Sequence, residues 1–191
     1  MIPVAALYVE RDGCYADQPG VDPWDERRDA RLYAGPFPVV AHPPCARWCR
    51  LAGLCEHRWG VPRGQDGGTF AAALESVRRF GGVLEHPAYS DAWSRYEITP
   101  PRAPGWQRTI EGAWVCQVDQ GHYGHRSRKP TWLYVYGAEY LPKMPWTPFA
   151  GAEPGVFERM GRRERNATPR QFRDLLLSIA RSVSRVQIAA A

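Results

Sequence analysis

A chain of 191 residues is long enough for one domain with its own core and short for two, since domains usually run about 100–200 residues. Apolar residues at 44% and charged residues at 24% exclude a disordered or fibrous chain. No apolar run approaches the roughly 18 residues of a membrane span, and Met1-Ile2-Pro3-Val4 lacks the basic start and apolar stretch of a secretion signal, which predicts a folded cytoplasmic protein with no membrane partner.

The five cysteines, Cys14, Cys45, Cys49, Cys55 and Cys116, then read as free thiols and not as a disulfide framework. Of the 25 basic residues only Lys129 and Lys143 are lysine; the rest are arginine, whose planar fork grips phosphate and carboxylate. The net charge is +5, and the excess of arginine over acid between Glu158 and Arg185 accounts for all of it. A basic end of this kind points to a polyanion such as nucleic acid, with a merely solvated basic surface as the alternative.

In chain order, Val4 to Val9 reads as a strand, followed by turn-rich sequence through Gly13, Pro19-Gly20 and Asp22-Pro23. Pro38 to Ala41 is a short apolar run without polar alternation, as in a parallel strand buried on both faces, and it ends at His42-Pro43-Pro44-Cys45. Thr69 to Phe80 is a helix with Phe70, Leu74 and Val77 on one face, stopped by Gly81-Gly82. Val83-Leu84 is a second short strand, ended by Glu85-His86-Pro87. This succession predicts a βαβ crossover and a mostly parallel, Rossmann-like α/β sheet. Trp114 to Val118 and Thr131 to Tyr136 are two further strands around a connector from Gly121 to Lys129. Residues 138–164 read as a loop insert. Thr168-Pro169-Arg170-Gln171 is a capping-box pattern opening a C-terminal helix over 168–187, with Phe172, Leu175, Leu176, Ile179 and Val183 as its stripe.

Ligands of open α/β sheets bind outside the carboxyl ends of strands, so Cys45 and Glu85, each at a strand end stiffened by prolines, read as a nucleophile and its acid partner. Each on its own has a plainer reading, a small buried residue and a cap. Pro43-Pro44-Cys45 resembles the proline-proline-cysteine turn of the DNA cytosine-5 methyltransferases. Val83-Leu84-Glu85-His86-Pro87 is similar to that family's glutamate-asparagine-valine turn, with histidine for asparagine. Tyr123-Gly124-His125-Arg126-Ser127-Arg128 looks like its tyrosine-glycine segment with two spaced arginines, and Arg165 with Thr168-Pro169-Arg170-Gln171 like its threonine-proline-arginine segment. The four stand in the family's order, and the type resembled is the short methylase-like protein of bacteriophages and actinobacteria.

The resemblance implies a DNA pyrimidine C5-modifying enzyme acting in a bacterial or phage-infected cell. Cys45 would add to C6 of the base, and Glu85 would protonate or hydrogen-bond N3. Arg126 and Arg128 would hold the base carbonyl or a phosphate and lower the thiol pKa. Pro44, His86, Trp48 and Arg165 complete the expected substrate contacts; the tryptophans read mostly as core or loop anchors, with stacking on a base as the alternative for Trp48 and Trp59 near Cys45. The family's cofactor is S-adenosylmethionine, yet the glycine-rich turn that would receive it is missing after the first strand, where Val9-Glu10-Arg11-Asp12-Gly13-Cys14 stands. Asp22 or Asp25 is a candidate ribose partner. The alternative reading is a cofactor-free protein of the same fold that binds nucleic acid, a nucleotide or a host protein. A zinc site on Cys45, Cys49, Cys55 and His57 has no common ligand spacing, and no metal is expected. His122 and His125 read as a loop satisfying its own backbone.

Overall fold

Runs of small and β-branched residues, too short for helices and bounded by turns, form the centre of the fold. The structure, a computed structural model, describes residues 2–49 and 52–184, without the side chains of Leu54, Cys55 and Trp59. The strands are β1 (Val4–Leu7), β2 (Val21–Trp24), β3 (Val39–Ala41), β4 (Gly82–Pro87), β5 (Gln107–Arg108), β6 (Trp114–Asp119) and β7 (Pro130–Tyr136). They form one sheet in the order β2-β1-β3-β4-β7-β6-β5. The first four are mutually parallel, whereas β7 runs antiparallel to both β4 and β6 and β5 antiparallel to β6.

The α/β class holds, and the sheet is mixed where a mostly parallel one was expected. The reason is local: the connector between β6 and β7 is a hairpin, not a crossover, with Gln120 N–H on the Lys129 carbonyl (3.2 Å) and Gly121 N–H on that of Arg128 (3.2 Å). A hairpin reverses the chain, and β7 then slots between β4 and β6. The same pairing corrects the end of β4. Glu85, His86 and Pro87 lie within the strand, because Leu133, Trp132 and Thr131 pair with them.

Helices α1 (Ala52–Trp59) and α2 (Thr69–Phe80) join β3 to β4. α2 buries Phe70, Leu74 and Val77 as its spacing predicts. Gly81 and Gly82 both have left-handed backbone, and at Gly82 a Cβ would stand 2.0 Å from the Val39 carbonyl oxygen, so only glycine lets β4 dock on β3 here. On the opposite face lies α6 (Arg170–Arg181), with Phe172, Leu176, Leu177, Ile179 and Ala180 buried. It starts later than the capping-box pattern implied: Pro169 is the N-cap, with extended ψ and no side-chain cap bond. Residues 185–187 of the expected helix lie outside the described residues. The segment read as loop contains two short helices, α4 (Val156–Arg159) and α5 (Arg162–Asn166), and α3 (Asp91–Arg95) follows β4.

Two apolar layers flank the sheet, one built on α2 with Phe70, Trp93 and Trp132, the other on α6 with Tyr15, Val118 and Leu133. The chain leaves β1 for β2 across the α6 face, where Tyr15 packs, and returns to β3 across the α2 face, where Ala30 packs. Connections running in opposite directions along a parallel sheet must use opposite faces if both are right-handed. The reversal opens a switch point between the carboxyl ends of β1 and β3.

Candidate functional site

Because β6 is parallel to β4 through their shared neighbour β7, its connector emerges at the same sheet edge as the carboxyl ends of β1, β3 and β4. Of the four non-glycine residues with left-handed backbone among the described residues, Tyr8, Tyr89 and Lys129 stand at this edge, just after β1, after β4 and before β7. Such strain persists where surrounding structure imposes it, most often at functional sites.

Side chains alternate along a strand, so Glu85 shares the α6 face with Val83, and His86 the α2 face with Leu84. The Glu85 carboxylate is buried and held on both oxygens. His42 Nδ1 lies 2.8 Å from Oε2, and Gln120 Nε2 donates to Oε1 (3.0 Å) and also to Thr131 Oγ1 (2.9 Å). The Thr131 hydroxyl donates in turn to the Lys129 carbonyl (3.1 Å), which fixes the Gln120 amide with its nitrogen toward Glu85. The other ring nitrogen of His42 meets the Tyr15 hydroxyl at 2.9 Å. Burial by itself raises the Glu85 carboxyl, but the hydrogen bond from His42 and the electrostatic pull of His42 and Lys129 overcome it and hold the group down at about 2. Glu85 is therefore an ionised acceptor at neutral pH. Tyr15, His42 and Gln120 carry no sequence motif, and only the meeting of three loops reveals them.

Cys45 is half-buried, one turn before Cys49. Burial pushes its thiol up to about 11, with the Glu85 and Cys49 charges adding to the rise and Lys129 opposing it. The thiol is protonated at neutral pH. Lys129, half-buried, donates from Nζ to the carbonyls of Ala167 (2.9 Å) and Asn166 (3.2 Å) at the end of α5. It is the cation whose field reaches both Cys45 and Glu85.

That role was expected of Arg126 and Arg128. Arg126 is exposed and paired with Glu164 (2.5 Å), and Arg128 is paired with Asp119 at the end of β6. Both side chains are drawn to carboxylates of the connector's surroundings, and the cation beside the thiol is the next residue along. The connector itself is pinned by Phe149, whose N–H donates to Asp119 (2.9 Å) and whose ring leaves no room for a Cβ on Gly121.

The remaining expected contacts divide. Pro44 is exposed beside Cys45, and Arg165 lies on α5 with its guanidinium 5.6 Å from the Phe157 ring centre. Trp48 is a core residue, 3% exposed, with Nε1 on Asp66 (2.9 Å) and its ring against Phe70 and Tyr96, so it is not presented to a base; the Trp59 side chain lies outside the described residues. His86 is fully buried on the face opposite Glu85, edge-on to Phe70 at 5.0 Å, and burial lowers it to about 4. It cannot touch a ligand bound to Glu85, because successive strand residues face opposite ways. His122 Nε2 bonds the Thr147 carbonyl (2.8 Å) and His125 Nδ1 accepts from the Ser127 N–H (3.1 Å), both serving the loop as expected. Cys55 of the sulfur cluster is outside the described side chains, and among the described residues no three His, Cys, Asp or Glu side chains converge as metal ligands.

The carboxyl ends of β1 and β2 do not fit S-adenosylmethionine. Tyr8 occupies the turn where a backbone approaching the cofactor needs glycine, and residues 8–20 carry turns and no helix. Tyr15 of this connection packs into the switch point against His42. Asp25, beyond β2, is committed to Arg27 through both oxygens, and Asp22 to Trp24 and Arg28. No helix of the described residues is long and apolar enough to cross a membrane. No protein-family model, curated protein or solved structure matches the chain.

Proposed function

We propose that the protein binds a cytosine of DNA at the carboxyl edge of its sheet and adds the Cys45 sulfur to C6, with Glu85 as the partner of N3. The observation that carries this reading is an ionised carboxylate clamped by His42 and Gln120 whose charge reaches the protonated thiol of Cys45. The four sequence segments similar to the cytosine-5 methyltransferases support it independently.

The chemistry uses the protonation states found. The Sγ–H bond of Cys45 breaks as Sγ–C6 forms. The C5=C6 pair moves to C4=C5, and the N3=C4 pair takes the proton at N3. Glu85 passes that proton from sulfur to nitrogen and ends as the carboxylate it began. Lys129 stabilises negative charge developing on sulfur. C5 becomes nucleophilic and takes a proton from water, leaving hydroxide; the original C5 proton goes to that hydroxide, and the N3 proton returns through Glu85 to sulfur as Sγ–C6 breaks, which restores the base and the thiol. This cycle needs no methyl donor. In a duplex the base must first leave the stack, at about a few kcal/mol.

A second reading, a binding protein without catalysis, is favoured by the helix-free first connection and by Tyr15 filling the switch point. Exchange of the cytosine C5 hydrogen in deuterated water separates the two. Single-stranded and duplex DNA incubated with the protein should gain C5 deuterium by mass spectrometry. Cys45→Ser should abolish the gain and Glu85→Gln should slow it by about 100-fold. DNA binding without exchange leaves the second reading; absence of both overturns the two together.

A further inference from the structure

We infer that Tyr89 is a stacking platform for the nucleotide next to the one held at Glu85. The inference rests on the DNA-binding reading above and adds a specificity-determining residue to it.

Tyr89 lies in the turn that follows β4, four residues beyond Glu85, with φ +63°. A bulky side chain in this region is an outlier, and glycine or asparagine is the ordinary occupant. Burial does not compensate, because the residue is 62% exposed. The turn is nevertheless fixed on both sides. Ala88 N–H donates to the Pro130 carbonyl (3.0 Å), Ser90 caps α3 through the Ala92 N–H (3.2 Å), and Asp91 N–H donates to the Trp48 carbonyl (3.0 Å). The ring leans on Trp132 (5.2 Å between centres), itself braced edge-on by Trp93 (5.1 Å). The result is a rigid aromatic, backed by two buried indoles and open to solvent, at a position where local backbone preference disfavours it. Conflicts of this kind between residue and backbone concentrate at functional sites.

A planar, sequence-tolerant partner suits such a ring: bases stack on aromatic side chains, while cations track the phosphates between them. Arg162 and Arg163 of α5, whose end holds Lys129 through Asn166, and Arg170 at the start of α6 are exposed; Arg163 lies 3.9 Å from Glu10. The Tyr89 ring leans on the α2 layer and Glu85 faces the α6 layer, and four residues span roughly 13 Å at most, so a base on Tyr89 is a different one from the base at Glu85 and one or two nucleotides from it. The partner is therefore an unpaired nucleotide flanking the target, and not the target base.

The test is binding of a fluorescent single-stranded oligonucleotide of roughly 12 nucleotides, with free dCMP as the second ligand and the melting temperature of every variant recorded. Tyr89→Phe should keep oligonucleotide affinity, and Tyr89→Leu and Tyr89→Gly should lose roughly ten-fold, all without change in dCMP affinity. Tyr89→Gly should melt no lower than the wild type, because it relieves the left-handed strain. Equal oligonucleotide affinity for Tyr89→Leu and the wild type overturns the inference while leaving the DNA reading in place. An equal loss for dCMP overturns the assignment to a neighbouring nucleotide. A wild type that binds no oligonucleotide overturns the inference and the DNA reading together.

Discussion

Cys45 and Lys129 illustrate how one residue's chemistry is set by its neighbours. A thiol half-buried beside a carboxylate resists ionisation, and burial, not the Glu85 charge, is the larger cause. Lys129 is the opposing influence, so its removal should be legible in the thiol alone. Lys129→Met is expected to slow alkylation of Cys45 by iodoacetamide at pH 8 by roughly five-fold, from a lost interaction of about 1 kcal/mol between nearby charges. Peptide mapping assigns the rate to Cys45 over Cys14, Cys49, Cys55 and Cys116; an unchanged rate would place Lys129 outside the thiol's field. The motif-bearing residues Cys45 and Glu85 were legible because proline and strand-end context mark them. Lys129 was not, since one lysine after two arginines looks like more of the same basic run, and only backbone geometry decides which of the three turns inward.

At the level of elements, the strands follow from apolar runs and the principal helices from periodicity, while their partners do not. β3, α2, β6 and β7 are legible within a residue or two. β2 is not, because Val21-Asp22-Pro23-Trp24 reads as a turn; Pro23 is tolerated since the strand is at the sheet's edge. The contact most sensitive to sequence is the α2–β4 junction. Gly82→Ala would drive a methyl group into the Val39 carbonyl at a backbone angle of φ +124°. Denaturant unfolding should show a loss on the order of 3 kcal/mol or more, or no folded protein. A loss below about 1 kcal/mol would mean that β3 and β4 separate more easily than their pairing indicates.

For the molecule as a whole, two buried groups make acid a stress. His86 titrates lower in the folded chain than in the unfolded one, so the unfolded chain binds the extra proton, and stability falls as pH drops from about 6.5 through 4. Glu85 is also depressed, from 4.5 to about 2, and its contribution is present above pH 4.5 and lost through that interval. Each contributes on the order of 2–3 kcal/mol. Urea unfolding at pH 7, 5.5, 4 and 3 should trace both declines. His86→Phe, which removes the buried imidazole, should flatten the upper one and leave the lower. An unaltered slope between pH 6.5 and 4 in that variant would assign the decline to other groups.

By itself the sequence determined the α/β class, the short central strands, the two principal helices and the place of Cys45 just beyond β3, whereas Glu85, read as a strand end, lies inside β4. These follow from local patterns, since strand burial, helix periodicity and proline or glycine stops act over a few residues. The tertiary structure decided what those residues meet. It brought Tyr15, His42, Gln120 and Lys129 from four separated segments to Glu85 and Cys45, and it turned His86 and Trp48 into the core. It also ran β7 antiparallel between β4 and β6. Each of these depends on strand register and on which face a side chain takes. A one-residue change of register exchanges the two faces of a strand, and register is fixed by pairing between segments far apart in the chain.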